Sequence, residues 1–311
     1  MLLDPENCSW LQHFPGFTND EIHLLDDFYD KDRQPLAGFL TDFMGVRTRC
    51  TSLATAQRAE CGKLINPPIP GDYHAEAIEY IGLIKSVRAA KNKFVAMELG
   101  AGWGPWLVAG LVAANRLDIS DVRLVGVEAD EQHFESMRQH FKDNGIDPES
   151  HRLFCCAVGK EKGKARWPKV EDSANQWGAR PVLVNEGGTK DSQDVSYLGA
   201  LEAQYIDVEV IGIRYLLELE PIWDLVHIDV QGWEFTLCDY ALNTLNLRVR
   251  YIIVGTHSRK LDGDIYALFH GAGWILENEK PTQMSFHQHT PLLESMNIAD
   301  GTQVWRNPRI T

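Results

Sequence analysis

The chain has little positive charge to spare: 30 Lys and Arg stand against 44 Asp and Glu, for a formal net charge of -14 over 311 residues. An acidic surface repels phosphate backbones, so a generalised nucleic-acid binder is not expected. Long apolar runs are missing too. The longest, Trp106 to Ala114 (WLVAGLVAA), falls far short of the roughly 20 residues that span a bilayer. The first ten residues, MLLDPENCSW, place an acid and a proline where a secretion signal needs a basic start and an apolar stretch. A cytoplasmic protein without a membrane partner is the expectation. The six cysteines, Cys8, Cys50, Cys61, Cys155, Cys156 and Cys238, contain no C-x-x-C pair, and all are expected to be reduced, buried thiols. Cys155 and Cys156, adjacent on a predicted strand, should point to opposite faces. Internal repeats and low-complexity tracts are absent. What remains is a composition of 44% apolar and 24% charged residues, ordinary for a folded protein of enzyme size, with nine tryptophans better suited to cores and pockets than to open surface.

Up to residue 93 the pattern is mainly helical. Asp20 to Tyr29 has helical spacing, Thr51 to Glu60 is helix-compatible, and INPPIPGDYH (Ile65 to His74) breaks the series because three prolines and a glycine cannot continue a helix. A helix through AEAIEYIGLIKSV follows. Residues 1–93 thus read as a helical extension, a candidate substrate cap or the means of forming a homo-oligomer. Residues 94–311 read as a second unit.

From Phe94 short apolar strands alternate with helices, which predicts an α/β fold with a largely parallel sheet covered on both faces. The predicted strands are KFVAMELG, VRLVGVEAD, RLFCCAV ending near Val158, Ile206 to Ile211, Trp223 to Asp229, Val249 to Gly255 and Trp274 to Glu277. Gly301 to Trp305 could add an antiparallel edge strand. Helices are predicted near 103–115, 131–144, 214–219, 234–245 and 263–270. Residues 159–204 are polar and too long for a plain connection, so an insertion or small hairpins are expected there.

The strongest local signal is FVAMELGAGWGPW, in which a strand ends in Glu98, Gly100, Gly102 and Gly104 before a helix. Alternating glycines let the backbone turn tightly against a ligand at a helix amino end. At the end of the next strand Glu128 is placed to accept a ribose hydroxyl pair, and Asp130 is placed to cap the following helix. Spacing alone leaves a dinucleotide and another adenosine ligand both open. Glu98, however, would set a negative charge beside a diphosphate.

ELGAGWG, GVEAD, CCAVG and above all LVHIDVQGWE (Leu225 to Glu234) together resemble the FkbM family of S-adenosylmethionine-dependent methyltransferases. The resemblance runs from Phe94 to Glu277. It implies a class I methyltransferase fold, a Rossmann-like seven-stranded sheet with helices on both faces, and methylation of hydroxyl groups on sugars, polyketides or other secondary metabolites. It also implies that Glu98, Gly100 and Gly102 border the methionine end of S-adenosyl-L-methionine, that Glu128 holds the ribose, and that Cys156 and Ala157 lie by the adenine. Trp103 and Trp106 are either walls of the cofactor end or core residues.

Methyl transfer to oxygen needs an acceptor held in line and deprotonated as the bond forms. Asp229, at the carboxyl end of its strand, is the first catalytic candidate, with His257 at the end of the neighbouring strand. The two could act as a base pair or could hold a divalent cation such as Mg2+, joined by Glu234. Family members commonly have an acid before this histidine, where the present chain has Gly255 and Thr256. His227 reads as an interior histidine. His74, His287 and His289 are weaker candidates, and Trp167, Trp177, Arg180 and Tyr197 could face the acceptor. Arg166, Lys169 and Arg180 could meet an acidic one. The expected partner is a small-molecule hydroxyl acceptor. An NAD-dependent oxidoreductase and a noncatalytic adenosine-binding, oligomerising protein are the alternatives.

Overall fold

The computed structural model describes residues 19–68, 77–169, 175, 182–183, 205–286 and 296–310. Seven strands, numbered in chain order, form the main sheet: β1 (Lys93–Leu99), β2 (Asp121–Glu128), β3 (Arg152–Cys155), β4 (Trp223–Ile228), β5 (Val249–Thr256), β6 (Ile275–Lys280) and β7 (Gly301–Arg306). Their spatial order is β6-β7-β5-β4-β1-β2-β3. Neighbours from β3 to β5 pair in parallel, whereas β7 runs antiparallel to both β5 and β6. The expected α/β class I architecture is therefore present. The predicted strand at 301–305 is antiparallel, but it lies inside the sheet and β6 takes the edge.

Among the described residues seven α-helices accompany the sheet: α1 (Asn19–Asp26), α2 (Ala77–Ala89), α3 (Pro105–Arg116), α4 (Glu131–Asp143), α5 (Ile213–Glu218), α6 (Glu234–Arg248) and α7 (Arg259–Gly271). Strand alternation divides the apolar residues between two cores. Phe94, Ala96, Leu225 and Ile253 face Ile81, Ile84, Leu107, Val108 and Phe141 of α2, α3 and α4. Val95, Met97, Val226 and Val254 face Leu216, Leu237, Leu245, Ile265 and Phe269 of α5, α6 and α7. Burial on both faces is why these strands read as continuous apolar runs.

The first segment does not stand apart from the sheet. Ile22, Leu25 and the apolar side of α2 belong to the same core as β1, β4 and β5. At Gly82 the backbone of α2 comes so close that a Cβ would lie 2.8 Å from Val304. Residue 93 thus marks where the sheet begins rather than a break in packing. Between α1 and α2 lie a small antiparallel pair, Phe39–Thr41 with Arg47–Arg49, and 3-10 turns at Cys50–Ser52 and Thr55–Glu60. The expectation that all cysteines are reduced fails here: Cys50 and Cys61 form a disulfide, with Cα atoms 6.0 Å apart, that brackets the Thr55–Glu60 turn. Two thiols separated by a short, tightly turned loop are brought within bonding reach. Cys155, Cys156 and Cys238 are free, and Cys155 is exposed while Cys156 is buried. Cys8 lies outside the described residues.

Two further strands differ from expectation. RLFCCAV is not one strand, because the chain leaves the main sheet after Cys155. The Cys156 N–H donates to the Glu128 carbonyl at 2.9 Å, and Ala157–Gly159 then pairs with Tyr205–Gly212. An edge strand is held by one neighbour only, so it can peel away and open space above β2. Tyr205–Gly212, expected to continue the alternating series, belongs to this second sheet instead. Its order is Ala157–Gly159, Tyr205–Gly212, Gly163–Pro168, Val182–Leu183. The described part of the predicted insertion is therefore a small sheet beside the carboxyl end of β3. Among the described residues no helix is long and apolar enough to cross a membrane.

Candidate active site

A cavity of about 430 Å³ opens at the carboxyl ends of the central strands, within the roughly 300–1,000 Å³ usual for small-ligand pockets. It lies where the chain order reverses between β1 and β4, the place at which open α/β sheets bind ligands.

The turn after β1 forms its floor. Gly100 and Ala101 donate their N–H groups to the Val127 carbonyl, both at 3.0 Å. Gly100, Gly102 and Gly104 all have positive φ. At Gly100 the need for glycine is also steric: a Cβ there would lie 1.8 Å from the Asp229 carbonyl oxygen. Gly104 precedes α3 without offering a side-chain cap, and Pro105 opens the helix. The buried Glu98 carboxylate does the capping from below, accepting from the Leu107 N–H at 3.2 Å. Burial raises the pKa of Glu98 well above the ordinary carboxylate value; the Leu107 and Trp106 N–H groups oppose that shift, and Glu79 and Asp229 add to it.

Glu128 ties the turn to the next helix. Its Oε2 accepts from the Gly102 N–H and its Oε1 from the Asp130 N–H, each at 2.8 Å. Asp130 caps α4, accepting from Gln132 and His133 N–H groups at 3.0 and 2.9 Å. Burial raises the Glu128 pKa against the opposing charge of His133. Cys156, Ala157 and Val158 line the cavity beyond β3, together with Trp167 from the second sheet. Burial pushes the Cys156 thiol up to about 12, so a nucleophilic thiolate is not available there.

Across the floor, Asp229 follows the last residue of β4. Its side chain is 36% exposed, whereas His257 (3%) and Glu234 (0%) lie behind it. His257 Nε2 is 3.1 Å from Asp229 Oδ1, and its Nδ1 is 3.3 Å from Glu234 Oε1. Both are ion-pair distances without hydrogen-bond alignment. Glu234 is fixed by the loop that precedes α6, accepting from Val230 at 2.8 Å and from Gly232 at 2.9 Å. Burial pushes the His257 pKa down, but Glu234 and Asp229 more than offset this and it lies well above the usual imidazole value. Burial likewise pushes Asp229 up, but His257, with His227 and Gln231, holds it below the ordinary value. The arrangement is a carboxylate facing the cavity, an imidazolium behind it and a second carboxylate behind that. The three residues also offer donor atoms within 4.8 Å of one another, a spacing a metal ion could use.

The structure thus gathers Glu98, Gly100, Gly102, Glu128, Cys156, Ala157 and Asp229 around one cavity, with His257 and Glu234 in contact with its wall. Trp103 and Trp106 are both buried and both line it, so each serves core and wall. Arg166 turns outward over the Tyr205 ring, and Lys169 is exposed. Among the described residues no Lys or Arg lines the cavity. His74, Trp177, Arg180, Tyr197, His287 and His289 lie outside the described residues.

Several wall residues escaped sequence reasoning. Glu79 of α2 meets His227 at 3.1 Å between Oε1 and Nε2, and Trp106 stands 5.6 Å from that imidazole. An acid on a helix buried on nearly every side was the available signal for Glu79. Asp300, in the turn before β7, and Ala54 and Gln57, from the disulfide-bracketed segment, also reach the cavity. Nothing periodic in the sequence marks those three.

The chain matches the Methyltransferase FkbM domain over residues 110–296. It belongs to the FkbM methyltransferase family. A Jannaschia sp. (strain CCS1) protein named "Putative methyltransferase" is 29% identical over 271 residues, covering 87% of this chain and 93% of that one. Among solved structures, the chain is similar to a precorrin-6y C5,15-methyltransferase from Geobacter metallireducens GS-15, with 10% identity, coverage of 75% and 88%, and a TM-score of 0.40. It is also similar to a methyltransferase FkbM from Methylobacillus flagellatus KT, with 12% identity, coverage of 69% and 44%, and a TM-score of 0.38. The glycine turn at 98–104 precedes the family match, so the FkbM assignment stands independently of it.

Proposed function

We propose that this FkbM methyltransferase transfers the methyl group of S-adenosyl-L-methionine to a hydroxyl of a small organic, sugar or secondary-metabolite acceptor. The observation that carries the reading is Asp229: a partly exposed carboxylate at the end of β4, backed by His257, in the same cavity as the glycine turn. The sulfonium ligand supplies an electrophilic methyl carbon. Asp229 orients the acceptor hydroxyl and takes its proton as the new C–O bond forms and the C–S electron pair returns to sulfur. His257 and Glu234 fix the orientation of Asp229.

The cavity chemistry favours this ligand over a dinucleotide. Glu98 already occupies the amino end of α3, where a diphosphate would otherwise sit, and no Lys or Arg lines the described wall. A ligand with cationic sulfonium and ammonium groups is suited to such a wall, and Glu128 is placed for a ribose. Ala54 and Gln57 carry the N-terminal segment into the wall, which supports a role for it in shaping acceptor choice.

A divalent cation held by Asp229, His257 and Glu234 is the second reading, favoured by their spacing. It requires His257 to give up a carboxylate contact. Labelled S-adenosylmethionine incubated with a panel of polyols, phenols and sugars, with EDTA or added Mg2+, tests both readings. Transfer that survives EDTA unchanged eliminates the cation, and tight NAD binding with no affinity for S-adenosylhomocysteine eliminates the methyl-transfer chemistry.

A further inference from the structure

Trp167 holds an indole N–H that no described residue accepts. The residue belongs to the strand Gly163–Pro168, is only 7% exposed, and its Nε1 has no hydrogen-bond partner among the described residues. Three other buried tryptophans each donate to a partner within the protein. Trp223 donates to the Leu217 carbonyl at 3.0 Å, Trp274 to Asn246 at 2.6 Å, and Trp305 to Gln303 at 3.0 Å. A buried donor left unpaired is costly, so such a group in a native protein calls for an explanation, a bound ligand or water among them.

The surroundings restrict what that something is. Trp167 packs with Ala129, Ala157, Ala165 and Val210, none of which offers a side-chain acceptor. Ala129 and Ala157 line the cavity with it; Ala129 directly follows Glu128, the last residue of β2, and Ala157 lies two residues beyond Cys155, the last residue of β3. The result is a slot of small apolar side chains with one strong donor, next to a carboxylate placed for a ribose. A purine has the matching character, with apolar faces and ring-nitrogen acceptors along its edge.

We propose that Trp167 is an adenine-binding residue, its Nε1–H donating to a ring nitrogen of the adenosyl ligand. This rests on the reading of the cavity as an S-adenosylmethionine site. It gives the second sheet, which the main fold does not require, a binding role: the strand that carries Trp167 closes the nucleoside end.

Calorimetry with S-adenosylhomocysteine and its 1-deaza, 3-deaza and 7-deaza analogues tests the assignment on the full chain. Wild type should bind one analogue roughly 3- to 10-fold more weakly than the parent, the worth of one hydrogen bond. Trp167→Phe, which keeps an aromatic ring and deletes the donor, should bind the parent weaker by the same factor and lose the discrimination against that analogue. The ligand-free variant should melt no lower than wild type by more than a few degrees, since no internal bond is removed. Unchanged parent affinity in Trp167→Phe, or a deaza penalty identical in both proteins, overturns the assignment of Trp167 alone. Wild type that fails to bind the parent at all overturns the cofactor reading on which it rests.

Discussion

Gly100 and Asp229 meet backbone to backbone: a Cβ on Gly100 would stand 1.8 Å from the Asp229 carbonyl oxygen, while the Asp229 N–H donates to the Leu99 carbonyl at 2.9 Å. The glycine turn and the end of β4 are thereby locked together. Gly100 also has a φ of 74°. Gly100→Ala should therefore cost about 3 kcal/mol or more, combining αL strain with overpacking against rigid backbone. Urea unfolding checks it, and a loss below 1 kcal/mol would show that the two strand ends are not in contact.

Asp229→Asn removes the proposed proton acceptor while leaving the glycine turn and Glu128 in place. Affinity for S-adenosylhomocysteine should stay within a few-fold of wild type. Turnover with any accepted hydroxyl substrate should fall by roughly 10²- to 10⁴-fold. A variant with normal turnover would remove Asp229 from the chemistry, and one that no longer binds the ligand would give it a structural role.

His140 of α4 is 3% exposed and its Nδ1–H donates to the Trp103 carbonyl at 3.0 Å, steadying the glycine turn. Burial lowers its pKa to about 4, against the Trp103 contact that raises it. The unfolded chain, with an ordinary imidazole, binds that proton first as pH falls. The stability His140 contributes is thus complete above about pH 6.5 and is lost toward pH 4, with about 2 kcal/mol gone at pH 5. The stability gap between wild type and His140→Leu should narrow by that amount between pH 7.5 and pH 5. A gap that does not change with pH contradicts a buried neutral His140. Comparison with the variant is needed because Asp42, raised by burial to about 6, works in the opposite direction, losing its contribution as pH rises from about 4 through 6.

The Cys50–Cys61 disulfide closes the segment that brings Ala54 and Gln57 to the cavity. Closing so short a loop is worth about 3 kcal/mol on chain-entropy grounds. Reduction, or a Cys50→Ser and Cys61→Ser double variant, should lower the unfolding midpoint and speed amide exchange across residues 51–60. Alkylation of both cysteines in the native, unreduced protein would refute the bond.

Much of this architecture could be read in advance, for physical reasons. The strands β1, β4 and β5 are buried on both faces and so declare themselves as apolar runs, and Asp130 announces the start of α4 by its capping chemistry. Glu98, Glu128 and Asp229 were legible because each lies at or next to the carboxyl end of a strand with an apolar run. The departure of the chain at Cys156 was not, since nothing in RLFCCAV distinguishes a strand that stays in its sheet from one that changes partners. Glu79 and Asp300 reach the cavity only through the docking of α2 and of the turn before β7, long-range events without a local signature. The bond between Cys50 and Cys61 depends in the same way on how the segment between them folds back.

The cavity at the carboxyl ends of β1 and β4 is proposed to take an adenosyl sulfonium ligand and not a dinucleotide. Isothermal titration of the purified protein with S-adenosylmethionine, S-adenosylhomocysteine and NAD measures it directly. Micromolar binding of both sulfur ligands at one site, with no heat from NAD, is the predicted result. Tight NAD binding without either sulfur ligand would contradict it.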